Sequence, residues 1–443
     1  MAIKLSDHFT YKRLLRFVVP SIAMMVFTSI YVVVDGLFVS NFVGKTAFAS
    51  LNLVTPFIMI LGGMGFMVGT GGSALVVKEL GAGNEEKAEK YFSLMIAFTI
   101  ALGAILTAIG VVFIRPVARF LGATEQMMDD CVLYGRIVTA FTVSFMLQTV
   151  FQSFLASAER PKLGLAVTVA AGLTNAALDA VFILVFKWGL AGAALATGIG
   201  QCVGGIIPLV YFLRPNTSLL RLCVPKIEIR PIIIACTNGS SELMSNISSS
   251  VVSMLYNFQL MRLVGEDGVS AYGVLMYVQF IFIAIAIGYI VGCAPIISYN
   301  YGAGNREELK NLLFKSTVLM AINGVVLTAL SLILARPLAH IFVGYNAKLF
   351  ELTCHAFKLF AFSFVLAGFN IFASGFFTAL NNGGISAAIS FLRTLIFQST
   401  AIIVLPEILG IDGIWLAVGA AELFAFVISV MFIFSKRKKY GYF

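Results

Sequence analysis

Long apolar runs, separated by short polar breaks, dominate the chain from residue 14 to 435. Twelve runs are long enough to cross a hydrocarbon layer roughly 30 Å thick as helices. They fall near 14–40, 50–77, 91–114, 131–157, 163–186, 190–213, 231–262, 270–298, 312–334, 352–379, 385–406 and 413–435. With 60% hydrophobic and only 12% charged residues, the pattern predicts an all-α integral membrane protein. The first run is too long for a signal-peptide core and lacks a small-residue cleavage pattern after it, so it reads as a retained helix.

The same pattern contains a repeat. With an offset of 221 residues, Gly81-Ala-Gly-Asn84 falls on Gly302-Ala-Gly-Asn305, Arg115-Pro116 on Arg336-Pro337, and Leu195-Ala196 on Leu416-Ala417. Each half holds six spans, an even number, so the halves enter the membrane with the same orientation. The expected architecture is therefore two parallel, pseudo-symmetric six-helix lobes. The N-terminal lobe would occupy 1–213 and the C-terminal lobe 231–435. Between them, 214–230 would form a cytoplasmic linker, and 436–443 would form a basic cytoplasmic tail.

Charge fixes the expected orientation. With both termini cytoplasmic, inner segments hold about 20 of the 30 Lys and Arg residues and outer loops about eight, as the positive-inside bias requires. The formal charge of +9 then reflects topology and contact with anionic lipid, and nucleic acid is not an expected partner. A bacterial inner membrane and a monomer are the expected setting. The six cysteines show no paired spacing, and His8, His340 and His355 lie near loops or helix ends without clustered partners, so neither set suggests a resident metal or cofactor. The glycine-rich stretch 62–72 lacks the Gly-Lys-Ser/Thr ending of a phosphate loop and fits close helix packing instead. No nucleotide motif or nucleophile–base signature appears. An enzyme is thus not expected, and transport would draw on an ion or substrate gradient.

Acids inside the spans carry the candidate chemistry. Asp35 interrupts the apolar stretch Ser29-Ile-Tyr-Val-Val-Val-Asp-Gly-Leu-Phe-Val-Ser40, while Asn175 and Asp179 stand four apart in the fifth span and Thr197 lies in the sixth. An ionisable group at that depth costs at least a few kcal/mol and normally faces a water-filled cavity or an ion path. Two carboxylates, an amide oxygen and a hydroxyl are hard ligands, suited to Na+ or to a proton shared between acids. At the repeat offset these four positions become Tyr256, Ile396, Thr400 and Val418. The second lobe therefore keeps the scaffold without the polar set.

Those residues, with Pro20 fifteen positions before the first Asp, make the chain resemble the multidrug and toxic compound extrusion (MATE) family, in its bacterial MepA-like branch, over essentially all twelve spans. The resemblance implies that Asp35, Asn175, Asp179 and Thr197 form a cation-coupling site, holding Na+ if sodium is the coupling ion, and that Pro20 is a hinge. It also implies a secondary active multidrug exporter working by alternating access, in antiport with H+ or Na+. A lipid-linked oligosaccharide flippase of the same superfamily is the alternative. The seventh span presents Asn238, Glu242 and Asn246 at helical spacing, and the resemblance places a Glu at position 242. Where other members carry a tenth-span Asp, the nearest candidate is Asn370. With the apolar and aromatic side chains Tyr256, Met276 and Tyr277, these residues are the candidate contacts for lipophilic organic cations. Arg393 and Glu422 are equally open to a structural or a ligand-contact role.

Overall fold

The protein is described by a computed structural model covering residues 3–344 and 346–442, with every side chain among them except those at 37, 40, 41 and 45. Fifteen α-helices and three π-helical segments account for the ordered elements among these residues. The N-terminal lobe is built from α1 (Tyr11–Phe38), α2 (Lys45–Gly81), α3 (Glu85–Phe120), α4 (Glu125–Ala140), α5 (Thr142–Ser157), α6 (Pro161–Asp179) and α7 (Gly189–Leu213). The C-terminal lobe comprises α8 (Ile229–Leu263), α9 (Glu266–Gly302), α10 (Arg306–Val343), α11 (Ala347–Phe360), α12 (Ser363–Ala379), α13 (Gly383–Phe391), α14 (Gln398–Leu409) and α15 (Ile411–Tyr440). These give twelve spans, because α4 with α5 and α11 with α12 form bent spans of 55° and 49° and α13 with α14 forms another. Nine helical runs are apolar enough to cross singly and the bent pairs bring the number to eleven. The remaining span is α8, whose length suffices and whose Ser, Asn and Glu residues make it too polar for that test.

The offset of 221 carries α2 onto α9 end for end, and α3 onto α10 to within two residues. It also pairs special backbone conformations: Gly83 and Gly304, after these helices, both take positive φ, 81° and 70°. A side chain there would be strained. The π segments break the symmetry. They cover Val39–Val43 beyond α1, Ala180–Val185 beyond α6, and Leu392–Phe397 between α13 and α14.

The lobes meet along two main seams, α2 on α8 and α1 on α9, with α2 also touching α9. Glycines make these seams close. Between α2 and α8, a Cβ on Gly71 would stand 2.0 Å from the Ala235 carbonyl oxygen and one on Gly239 1.9 Å from that of Met67, while between α2 and α9 one on Gly81 would stand 2.0 Å from that of Tyr299. On the second seam, a Cβ on Gly288 would meet the Ile22 backbone at 2.5 Å. All these contacts lie in the halves of the helices nearer the chain termini. A hydrophobic cluster at that end joins Leu5, Phe9, Phe17 and Val77 to Tyr289, Ile296 and Phe376 across the lobes. At the opposite end each lobe has its own core, one around Leu51, Tyr134 and Leu190 and one around Tyr256, Phe357 and Trp415. The molecule is closed where the termini lie.

An N-terminal strap reinforces that closure. The Leu5 N–H donates to Glu159 Oε1 (2.6 Å) in the N-lobe, while the Phe9 N–H donates to Glu308 Oε1 (3.0 Å) on α10. His8 Nδ1 pairs with Glu308 Oε2 at 2.6 Å, and Lys315 Nζ donates to the Phe9 carbonyl at 2.6 Å. Residues 5–9 thus tie the two lobes together.

Candidate functional site

Register brings the acids of the N-lobe together. Helices α1 and α6 run in the same direction, and Gly172 lets them approach: a Cβ there would lie 2.5 Å from the Phe27 ring and 3.3 Å from Tyr31. Seven or eight residues further along each helix, at 1.5 Å per residue, Asp35 and Asp179 reach the same level. Their carboxyl groups face one another, and the Asn175 side chain lies beside Asp35. Gly200 on α7 permits the third approach, since a Cβ there would stand 3.1 Å from Asn175 Cβ. The Asn175 amide consequently donates to Thr197 Oγ1 at 3.5 Å.

Burial makes the arrangement demanding. Asp179 is 0% exposed, with neither carboxylate oxygen hydrogen-bonded, and Asp35 Oδ1 is likewise buried without a donor. Such oxygens call for a proton or a cation, because an unpaired buried carboxylate is costly. A π segment follows each acid, after Asp35 by four residues and immediately after Asp179. Such segments leave carbonyls outside the regular ladder and recur at functional sites.

The structure brings two tyrosines to the site, of which Tyr134 has no signal in the sequence spacing. Tyr134, on α4, faces both carboxyl groups and the Thr197 hydroxyl, and Tyr31 lies between Asp35 and Gln148. Tyr134 comes from a helix with no acid of its own at this depth, so only packing connects it to the site. Pro20 lies inside α1 without ending it. Its turn holds Val18 and Ile22, which pack on Gly292 and Gly288 of the other lobe.

The candidates of the C-lobe do not form a second acid pair. Glu242 is half-buried on α8, and Asn246, one turn on, donates to its backbone carbonyl at 2.9 Å. Asn238 is buried and donates to the Thr378 carbonyl at 2.9 Å. Tyr256 is fully buried, stacked on Tyr272 with ring centroids 4.4 Å apart, and its hydroxyl donates to the Ile414 carbonyl. That is a packing position. Met276 packs against the same core, and Tyr277, 40% exposed, stacks on Phe342. Asn370 belongs to a buried cluster: its amide donates to Glu422 Oε2 at 2.7 Å, while Arg393 Nε donates to Glu422 Oε1 at 2.8 Å. This satisfies Glu422 within the protein and gives Asn370, fully buried, a structural partner.

The same frame recurs in known proteins. A family profile described as MatE matches residues 20–181 and 243–401. The chain is 23% identical over 436 residues to the multidrug export protein MepA of Staphylococcus saprophyticus, covering 97% of this chain and 94% of that one. Among solved structures, one described as a crystal structure of MATE in complex with MaL6 superposes with a TM-score of 0.91 at 19% identity, covering 97% of this chain and 98% of that one. Another, described as the outward-facing conformation of a multidrug resistance MATE family transporter, superposes with a TM-score of 0.90 at 20% identity and the same coverage.

Proposed function

The chain belongs to the MatE family, and from that premise we propose that it is an ion-coupled exporter of lipophilic organic cations. The carrying observation is the Asp35–Asp179 pair in one lobe, with both Asp179 oxygens and Asp35 Oδ1 buried without donors, replaced by Tyr256 and Thr400 at the repeat-related positions of the other. A site of this kind changes net charge with occupancy. Empty, two acids in a low-dielectric pocket repel each other and hold α1 and α6 apart; a proton or Na+ between them removes that repulsion. Asn175 and Thr197 supply neutral oxygens that complete a sodium shell or hydrogen-bond a protonated acid.

Export then follows from linking that local change to the seams. Helix α1 bears Asp35 near one end and packs on α9 around Pro20 near the other, so a bend at Pro20 transmits occupancy to the contact between lobes. With both termini cytoplasmic, the closed end faces the cytoplasm and the protein stands ready to release its load outward. Glu242 supplies a negative point for an organic cation, and the excess of acids over bases in the spans disfavours an anionic oligosaccharide carrier. The chain works as a monomer on this reading, since each lobe completes the other.

The test is ethidium efflux from cells expressing the protein, measured with a protonophore and, separately, after sodium removal. Accelerated efflux that collapses under one treatment supports the reading and names the ion. Efflux no faster than in control cells would sink it.

A further inference from the structure

Three glutamines lie inside the N-lobe beyond the acid pair: Gln148 and Gln152, one turn apart on α5, and Gln201, one turn past Thr197 on α7. They are 5%, 5% and 7% exposed, and the side-chain carbonyl oxygen of each is buried with no hydrogen-bond donor. A buried carbonyl left without a donor costs about 1–3 kcal/mol. Three in one interior are tolerated when water or a cation meets them. Their placement is directional. Gln148 lies beside Tyr31, one turn before Asp35, and against α7, where a Cβ at Gly204 would stand 2.7 Å from its Cδ. Both α5 and α7 run from the level of the acids toward the end that carries the termini, so Gln152 extends the series in that direction.

The repeat provides an internal comparison. At the offset of 221, Gln148 becomes Phe369, Gln152 becomes Ala373 and Gln201 becomes Glu422. Phe369 and Ala373 belong to a hydrophobic core, and Glu422 is held by Arg393 and Asn370. At two of these positions the six-helix frame packs with apolar side chains instead, and at the third the polar group is bound within the protein. The glutamines serve something other than folding.

We propose that Gln148, Gln152 and Gln201 form a hydrated path inside the N-lobe, carrying the coupling cation between the Asp35–Asp179 pair and the closed end of the molecule. Amide carbonyls suit such a path, since they stabilise a monovalent cation or order water without trapping charge. The path gives the ion a route separate from the drug's, so it leaves while the lobes remain sealed to the larger solute. This inference rests on the ion-coupled reading above.

The test uses full-length protein in which the six native cysteines are replaced and efflux is retained. Gln152→Cys and its repeat partner Ala373→Cys are reconstituted in liposomes and exposed to a small cationic methanethiosulfonate. Gln152→Cys should react at least about tenfold faster than Ala373→Cys, as a wet site against a dry one. Gln201→Cys is the reporter should Gln152→Cys fail to fold. In parallel, Gln152→Leu should slow ion-driven ethidium efflux about tenfold with ethidium binding unchanged, and Gln152→Asn should restore it. Equally slow labelling at 152 and 373, with wild-type efflux still ion-sensitive, overturns the path alone. Fast labelling at 152 with wild-type efflux indifferent to both ions overturns the ion route together with the coupling reading.

Discussion

Asp35 and Asp179 stand 144 residues apart in the chain, and each is meaningful only because the other is there. On the proposed reading, Asp35→Asn keeps size and much of the hydrogen bonding while fixing the site in a neutral form. Ethidium efflux should fall on the order of 100-fold at matched expression, with membrane insertion intact. Asp179→Asn should match it, and the double variant should be little worse, because both serve one site. Near-normal efflux in Asp35→Asn would return these residues to a structural role. Glu242 belongs to the other lobe and, on the same proposed reading, serves the drug instead of the ion. Glu242→Gln should change drug preference several-fold while leaving the ion requirement in place. The reverse pattern, measured with a panel of cationic dyes, would exchange the assignments. The acids themselves were legible from sequence, because a carboxylate in an apolar run is conspicuous. Tyr134 was not, since nothing in its local spacing points to α1 or α6. The surroundings of Tyr256 were equally hidden: an aromatic in a polar span suggests a ligand contact, and the fold buries it with its hydroxyl donating to the Ile414 carbonyl.

The elements show how such residues are held and moved. All twelve spans were visible as runs of spanning length, α8 being the most polar of them, because lipid allows few alternatives to a helix. The bends at Phe141 and at Ala361–Phe362 were not, and neither were the π segments, since an extra residue in a turn leaves no compositional mark. Pro20 was visible and its setting was not: its turn is a contact between lobes. Pro20→Ala should leave expression near normal and lower transport several-fold, by restoring a backbone hydrogen bond that stiffens α1; normal turnover would remove the hinge role. The strap yields a pH prediction. Burial raises the Glu159 carboxyl above its usual value, outweighing the Leu5 N–H that favours its ionised form. The folded state thus holds this proton more tightly than the unfolded chain, so the contribution is present below the ordinary glutamate range and is lost as pH rises through the folded value. Glu159→Gln, which still accepts from Leu5, should raise thermal stability slightly at pH 8 and not at pH 4, by about 1 kcal/mol at most. An equal effect at both values would show that titration plays no part.

For the whole molecule, the parallel two-lobe plan was legible in the repeat, because a fixed offset over so many positions implies a shared frame. The seams were less legible, since glycines in helices mark close approach without naming the partner. Gly71 shows the consequence. A leucine there would collide with the Ala235 carbonyl, which stands 2.0 Å from the first side-chain carbon alone. Gly71→Leu should therefore part the lobes at the closed end and raise labelling of a cysteine at 67 by a water-soluble maleimide; unchanged labelling would mean that the seam yields without opening. The tightness of that seam has an electrical side. A membrane voltage of 100 mV is worth about 2.3 kcal/mol for each charge that crosses, and any gap wide enough for a hydrated ion would discharge it. Where backbone meets backbone between α2 and α8 there is no such gap, so on the proposed reading the protein can stay open to one side for as long as a drug takes to leave without acting as a shunt across the cell's own battery.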